Sequence, residues 1–335
     1  MSTATATSRI PHRVKLNLQA IVGRAYPRVI GANREPSWIF FEAILPLLGI
    51  AAYVFVYKAL ATRALGVILT PTPSAPYGMC GPNPCVDAAQ QALFQANSIA
   101  NTNALIATVV LGGAMVAFWL NVLWSMASQL YWEKEIGNLQ LYMMAPMSRM
   151  ALLGGMAIGG MFMTSVRAIT TLVVGILVFT VTLQLGNPLL LLGVFFVTLI
   201  ALYGMGMMLA SLYLLWGREA FNLSALLEEP IFFSSGFYFP VGGFARFGTV
   251  GGAMLAFATA IPATLGLDAM RQIIVPGSPS LPIPIPWSQG AYLTPDLEFG
   301  LLLVLAVMFL FLARHTLAYL EKLARREGRL TSRHQ

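Results

Sequence analysis

Four ionisable residues stand inside long apolar runs of this sequence: Glu42, Arg167, Glu228 and Glu229. Charge at membrane depth is expensive, so each is a functional candidate by default. Glu42 falls about one turn inside a surface, where pairing with an interfacial arginine is the plainer use. Arg167 falls near mid-run and calls for a partner on another helix, which a structural salt bridge would supply. Glu228 and Glu229 precede Pro230, whose ring frees a backbone carbonyl and bends a helix. Ser224, Glu228 and Ser235 share roughly one face, a stripe that either lines a transport route or hydrogen-bonds a neighbouring helix. The same two uses are open to Asn121, Ser125 and Ser128, spaced i, i+4 and i+7 and flanked by Trp119 and Trp124. Aromatic and polar groups on one helix suit an amphipathic substrate, and they suit helix–helix contact equally.

Several other chemistries are not expected. There is no G-x-x-x-x-G-K-[ST] phosphate loop, and His12, His315 and His334 all lie in terminal segments without metal-ligand spacing. No nucleophile has an evident base beside it. The chain is therefore expected to be no enzyme, to hold no metal or cofactor and to take no nucleic-acid partner. The two cysteines, Cys80 and Cys85, share the polar stretch "PTPSAPYGMCGPNPCVDAAQQ". Two cysteines make neither a disulfide framework nor a zinc site. The Gly-Pro-Asn-Pro between them favours a tight turn, and on the outside of a cell the pair is expected to be bonded.

The elements that must position these residues follow from composition. Of 335 residues, 57% are hydrophobic and 10% charged, against about 25% charged in an ordinary soluble domain. A chain with so few charges cannot cover itself in water and belongs in a membrane. A spanning helix needs roughly 20 apolar residues. That criterion predicts clear spans at about 37–60, 101–131, 150–184, 188–216 and 299–319. The interrupted region 220–275 is read as one further span, 219–240, then a re-entrant or interfacial hairpin within 241–298, with 250–266 able to cross fully only as a seventh span. A broken helix of that kind survives where protein or a water-filled cavity satisfies its backbone.

The basic residues set the orientation. Arg9, Arg13, Lys15, Arg24, Arg28 and Arg34 crowd one end, and Arg314, Lys322, Arg325, Arg326, Arg329 and Arg333 the other. With six spans both termini lie in the cytoplasm, the loop 61–100 faces out, and the connection 131–149 faces in. Residues 12–30 place Val14, Leu18, Ile21 and Val22 on one helical face with basic groups around the rest. This predicts a helix lying in the interface with its arginines toward lipid phosphates. The organisation is thus a basic tail and amphipathic helix (1–36), a transmembrane domain (37–319) and a basic tail (320–335). Small-residue pairs at Gly113 and Ala117, Gly155 and Gly159, and Gly206 and Ala210 predict tight helix packing.

The connection "YWEKEIGNLQLYMMAPMSRMALLGG" carries more than a hairpin needs. From Glu133 onward it resembles the cytoplasmic connection of ABC-2 type transporter permeases, whose pattern is an acidic pair, Gly-Thr-Leu-Glu, a short apolar helix, then Pro, a small polar residue and Arg or Lys. Glu133 and Glu135 match the acids, Gly137 the glycine, Leu139 the leucine, Pro146 the proline, and Ser148-Arg149 the end of the motif. Asn138 and Gln140 depart from the usual threonine and glutamate. "ALLEEPIFFSSGFYFPVGGF" is similar to that family's fifth span, and "IPATLGLDAMRQIIV" more weakly to the segment before its last. The resemblance implies an all-α membrane subunit of a bacterial exporter in the cytoplasmic membrane. Its cargo would be a drug, lipid or polysaccharide. It would pair with a second permease copy or a paralogue and with two ATP-binding subunits, which carry ATP and Mg. Glu133, Lys134, Glu135, Gly137, Leu139, Leu141, Pro146 and Arg149 would then form a coupling helix docked on the ATPase subunit. The stripe Asn121, Trp124, Ser125, Ser128, Ser224, Glu228, Glu229 and Ser235 would line the substrate path or the interface between permease halves. The other reading the sequence permits is a secondary transporter or channel driven by an ion gradient.

Overall fold

A computed structural model describes residues 12–32, 44, 46–60, 88–275, 280–283 and 292–327. Glu42, Cys80 and Cys85 lie outside these residues. The described chain is an all-α membrane protein. It contains four helices long and apolar enough to cross a bilayer, or five if one bent pair counts as a span. Among the described residues there is no strand, only an isolated antiparallel bridge between Pro282 and Tyr292.

In chain order the helices are α1 (His12–Ala32), α2 (Pro46–Leu60), α3 (Ala88–Leu120), α4 (Gln129–Ile136), α5 (Asn138–Met144), α6 (Arg149–Phe179), α7 (Pro188–Trp216) and α8 (Ala220–Ser234). They continue with α9 (Gly248–Thr259), α10 (Pro262–Ile274) and α11 (Pro295–Arg326). Local chemistry sets many of these limits. Ser148 caps α6 by accepting from the Ala151 amide at 3.1 Å, and Asn187 caps α7 by accepting from Leu190 at 3.2 Å, ahead of Pro188. A side-chain oxygen there satisfies an amide that the first turn leaves without a partner. Helix α11 opens with Pro295, Asp296 and Glu298 and closes with Arg325 and Arg326, in the sense the helix dipole favours.

Helices α7 and α11 form the most extensive pair, and α1 lies along α6. The glycine spacing found in the sequence serves these contacts. A Cβ on Gly155 would lie 2.8 Å from the Ile21 carbonyl oxygen, and one on Gly159 3.2 Å from the Arg28 Cβ. Gly206 likewise leaves room for Val122 and Met126. Two ends of the bundle result. At one, α1, α4, α5, the start of α6 and the end of α11 meet, with Arg149 and Arg325 both paired to Glu321. At the other sit α9, α10 and the start of α11.

The helices differ from the sequence reading at several points. Helix α3 begins at Ala88, inside the expected 61–100 loop. The span expected over 150–184 stops at Phe179, where Thr180 takes a left-handed backbone (φ 52°); Gln184 and Gly186 then donate to the Ile274 and Ile273 carbonyls. The span expected over 219–240 is only 15 residues long, roughly 22 Å at 1.5 Å per residue, short of the ~30 Å hydrocarbon core. It ends in the turn 235–240, where Gly236 has φ +63°. Within 241–298, where a re-entrant or interfacial hairpin is expected, α9 and α10 meet at 90°, the bend of a broken span or of a re-entrant loop. The last helix runs beyond 299–319 at both ends, into the expected basic tail.

Candidate functional site

The first region of interest is the knuckle α4–Gly137–α5. Gly137 has φ 88°, a left-handed backbone that glycine adopts without the Cβ penalty, and it turns α4 back into α5. Ala145 is extended (ψ 140°), because the following proline disfavours the helical region; α5 therefore ends at Met144. The charges do not point where the sequence suggested. Glu133 is buried and paired with Arg24 of α1, and it accepts from Asn138 Nδ2 at 3.1 Å. Lys134 is buried too. The same Arg24 guanidinium donates to Gln129 Oε1 and the Tyr142 hydroxyl, each at 3.3 Å, and lies over the Tyr142 ring. Leu139 is buried, and Arg149 is held by Glu321. What the knuckle exposes is apolar: Trp132, Ile136, Leu141 and Met144, the last 75% exposed, beside exposed Pro146 and half-buried Glu135.

Helix α1 is thereby inverted relative to expectation. Its arginine face looks into the protein: Arg24 meets α4 and α5, Arg28 donates to Ser125, and Asn17 Oδ1 accepts from the Ser148 amide at 2.8 Å. Burial draws the Arg28 guanidinium below its ordinary pKa. The apolar stripe Val14, Leu18, Val22, Tyr26 and Ile30, one residue every turn, is exposed and is the face left for lipid.

The polar stripe of the second span is spent on helix contacts. Residues 121–126 form a π-helical turn, a local widening often found at functional positions. Asn121 accepts from the Tyr203 hydroxyl at 2.9 Å, Ser125 meets Arg28, and Ser128 donates to the Trp124 carbonyl at 2.6 Å. Trp124 Nε1 donates to Glu228 at 3.0 Å, and Ser224 shares a 2.7 Å hydrogen bond with Tyr213. Ser235 is buried in the turn after α8. Of the two adjacent acids, Glu228 therefore belongs to a contact within the chain, while Glu229 is exposed on α8 beside exposed Leu226, with Phe233 a turn on. Arg167 is half-buried on α6. A separate apolar cavity of about 290 Å³, lined by Phe118, Ile169, Leu172, Phe195, Leu267 and Met270 among others, contains none of the stripe residues.

A third cluster, to which the sequence reading gave no role, sits at the opposite end. Arg271 of α10 donates through Nη2 to the carbonyls of Gly236 (2.7 Å), Phe237 (3.1 Å) and Thr108 (3.3 Å). Asp268, one turn away, accepts from the Leu281 amide at 2.9 Å and from Gln272 Nε2 at 3.0 Å. The same Gln272 nitrogen lies 3.2 Å from Glu298 of α11. All three charged side chains are buried. The signal was present as Asp268, Arg271 and Gln272 at i, i+3 and i+4 in an apolar segment; reading that segment as part of a re-entrant or interfacial hairpin hid it.

Comparison of the chain with protein-family models and with curated proteins gives no match.

Proposed function

We propose that the chain is the membrane subunit of an ATP-driven ABC-2 type exporter of a bacterial cytoplasmic membrane. It has six spans and both termini in the cytoplasm, and it works with two ATP-binding subunits and a second permease copy or paralogue. ATP and Mg act on the partner subunits. The observation that carries this reading is the knuckle: a rigid helix–turn–helix at the most basic end of the bundle, with an apolar crest of Trp132, Ile136, Leu141 and Met144. A crest that runs from the last turns of the Thr102–Ile136 helix into α5, on the positively charged side, is well placed for a groove in another protein. Leucine and methionine fill such a groove adaptably. In this reading the apolar side chains bind the ATPase, while Glu133 fixes the knuckle to α1.

The test is assembly. Purified with its candidate ATPase subunit, the wild-type protein should form a stoichiometric complex with vanadate-sensitive hydrolysis. Ile136→Asp together with Leu141→Asp should lose the complex and at least tenfold of transport while the permease stays monodisperse. A double variant that retains the ATPase subunit removes the knuckle from the interface. Glu229, facing out of α8, is assigned to the interface between permease halves. Glu229→Gln should therefore lower transport or substrate-stimulated hydrolysis with assembly intact, whereas normal transport makes this acid a bystander.

A second reading, an ion-gradient-driven transporter, draws support from the buried Asp268–Glu298 pair. It requires uptake or export that follows an imposed proton or sodium gradient without any ATPase subunit.

A further inference from the structure

Helices α10 and α11 bring two carboxyl groups together in a place with no access to water. Glu298 is 0% and Asp268 5% exposed. Gln272 Nε2 bridges them, donating to Asp268 Oδ2 at 3.0 Å and to Glu298 Oε2 at 3.2 Å, so both acids crowd around one nitrogen. Asp268 is well provided for as an anion: the Leu281 amide and Gln272 donate to it, and the Arg271 guanidinium stands one turn along the same helix. Glu298 is not, because its Oε1 is buried without a hydrogen-bond partner. A buried carboxylate with an unsatisfied oxygen beside a second carboxylate is among the least favourable arrangements a protein can make.

Charge balance gives the same answer. On α10 only Asp268 and Arg271 are charged. Helix α9, the part of α3 from 102 to 120, α7 from 188 to 202, and residues 276–291 contain no titratable side chain. Among the described residues, Tyr57 of α2, which donates to the Tyr238 carbonyl at 2.8 Å, is a further titratable group near Arg271, and Tyr53 stacks on Tyr238 of the 235–240 turn. Asp296 of α11 is exposed. One cation and one anion cancel, so the remaining acid leaves the buried cluster neutral only when it is neutral itself. The start of α11 favours negative charge through its dipole, but that term is smaller than the loss of hydration of a fully buried carboxylate.

We propose that Glu298 holds a proton at neutral pH and donates it to Asp268, forming a carboxylic acid–carboxylate hydrogen bond that latches α11 onto α10. The bond uses the oxygen of Glu298 that otherwise has no partner. It leaves Gln272 to cross-brace the pair and Arg271 free to hold the 235–240 turn. No covalent step is involved: one proton is bound on folding and released when the latch opens. Because the folded chain then holds a proton that the unfolded chain gives up, stability should fall as pH rises above the ordinary glutamate range of about 4, through neutrality and into the alkaline range, until the folded chain releases the proton too.

Infrared spectroscopy of the purified full chain in liposomes reads this directly. The wild-type protein should show a carboxylic-acid C=O stretch at neutral pH that moves when glutamate is isotope-labelled. Glu298→Gln, which keeps the shape and removes the proton, should abolish that band, retain thermal stability and flatten its alkaline decline. Asp268→Asn, which replaces the accepting carboxylate by a neutral amide, should keep the band but shift its frequency. The wild-type band needs no variant, so a substitution that misfolds does not spare the proposal. Absence of a glutamate-shifted band in the wild type, its persistence in Glu298→Gln, or carboxylate bands that move with sodium but not potassium would overturn it, the last by putting a metal cation where the proton is placed.

Discussion

Arg271→Met should cost the protein the defined end of the bundle formed by α9, α10 and the start of α11, with a loss of stability on the order of 3–5 kcal/mol, the range for removing one partner of a buried charge pair. Arg271 is 3% exposed, and one of its nitrogens reaches three carbonyls on two other segments, Thr108 of α3 and Gly236 and Phe237 after α8. Methionine fills similar volume but leaves those oxygens short of a donor and Asp268 without its cation. The turn 235–240 has few other anchors. A Cβ on Gly112 would collide with the Phe237 carbonyl, so α3 offers that turn a bare backbone surface, and Tyr53 stacks on Tyr238 at 4.4 Å. Arg271→Lys should recover less than half of the loss. Lysine restores the charge for Asp268 and offers three donors, but its shorter stem and more strongly hydrated ammonium reach the same carbonyls only at a larger desolvation cost. Thermal unfolding in a fixed detergent, read beside protease sensitivity of the 235–247 segment, measures both effects. If Arg271→Met unfolds within a few tenths of a kcal/mol of wild type, the guanidinium is not what seats the turn.

The fold class was legible in the sequence because hydrocarbon content alone dictates it: four apolar runs long enough to span appear as helices. The α4–α5 knuckle was legible at its turns, since Gly137 and Pro146 act through their own backbones. The direction in which α1 faces was not. A helical wheel separates the arginines from Val14, Leu18 and Val22, yet it does not say whether the polar face seeks phosphates or protein carboxylates. Glu133, more than a hundred residues away, decides that. The length of α8 was overread for a related reason. "FFSSGFYFP" is apolar enough to continue a span, but Gly236 turns the chain and Arg271 captures its carbonyls. Asp268 and Glu298 form a pair only in three dimensions, thirty residues apart in sequence. Asn121 and Ser125 suited a substrate and a helix contact equally in the sequence, which does not display Tyr203 and Arg28 opposite them.

Reversing the charge at Glu133 should separate two roles that the sequence alone confounds. As an ATPase contact, Glu133 would act on the partner; in the structure it acts on Arg24. Glu133→Arg places two guanidinium groups together at a site where Glu133 is 5% exposed. The same range, on the order of 3–5 kcal/mol, applies to breaking this buried pair. The loss should be local. It falls on the seat of α1, whose other ties to the bundle include the Arg24–Gln129, Arg24–Tyr142, Arg28–Ser125 and Asn17–Ser148 hydrogen bonds and the close approach at Gly155 and Gly159. Disulfide trapping between cysteines placed at Asn17 and Ser148 should drop severalfold in Glu133→Arg and in Arg24→Glu. The exchanged pair, Arg24→Glu with Glu133→Arg, should recover much of the trapping, because the ion pair is re-formed with its polarity reversed; the coupling term of this double-mutant cycle isolates the pair. Binding of the ATPase subunit then decides the role. If Glu133 works by seating α1 and holding the knuckle, the exchanged protein binds the ATPase as well as wild type does. If the partner reads the carboxylate itself, trapping recovers and binding does not, and the apolar crest loses its standing as the main contact.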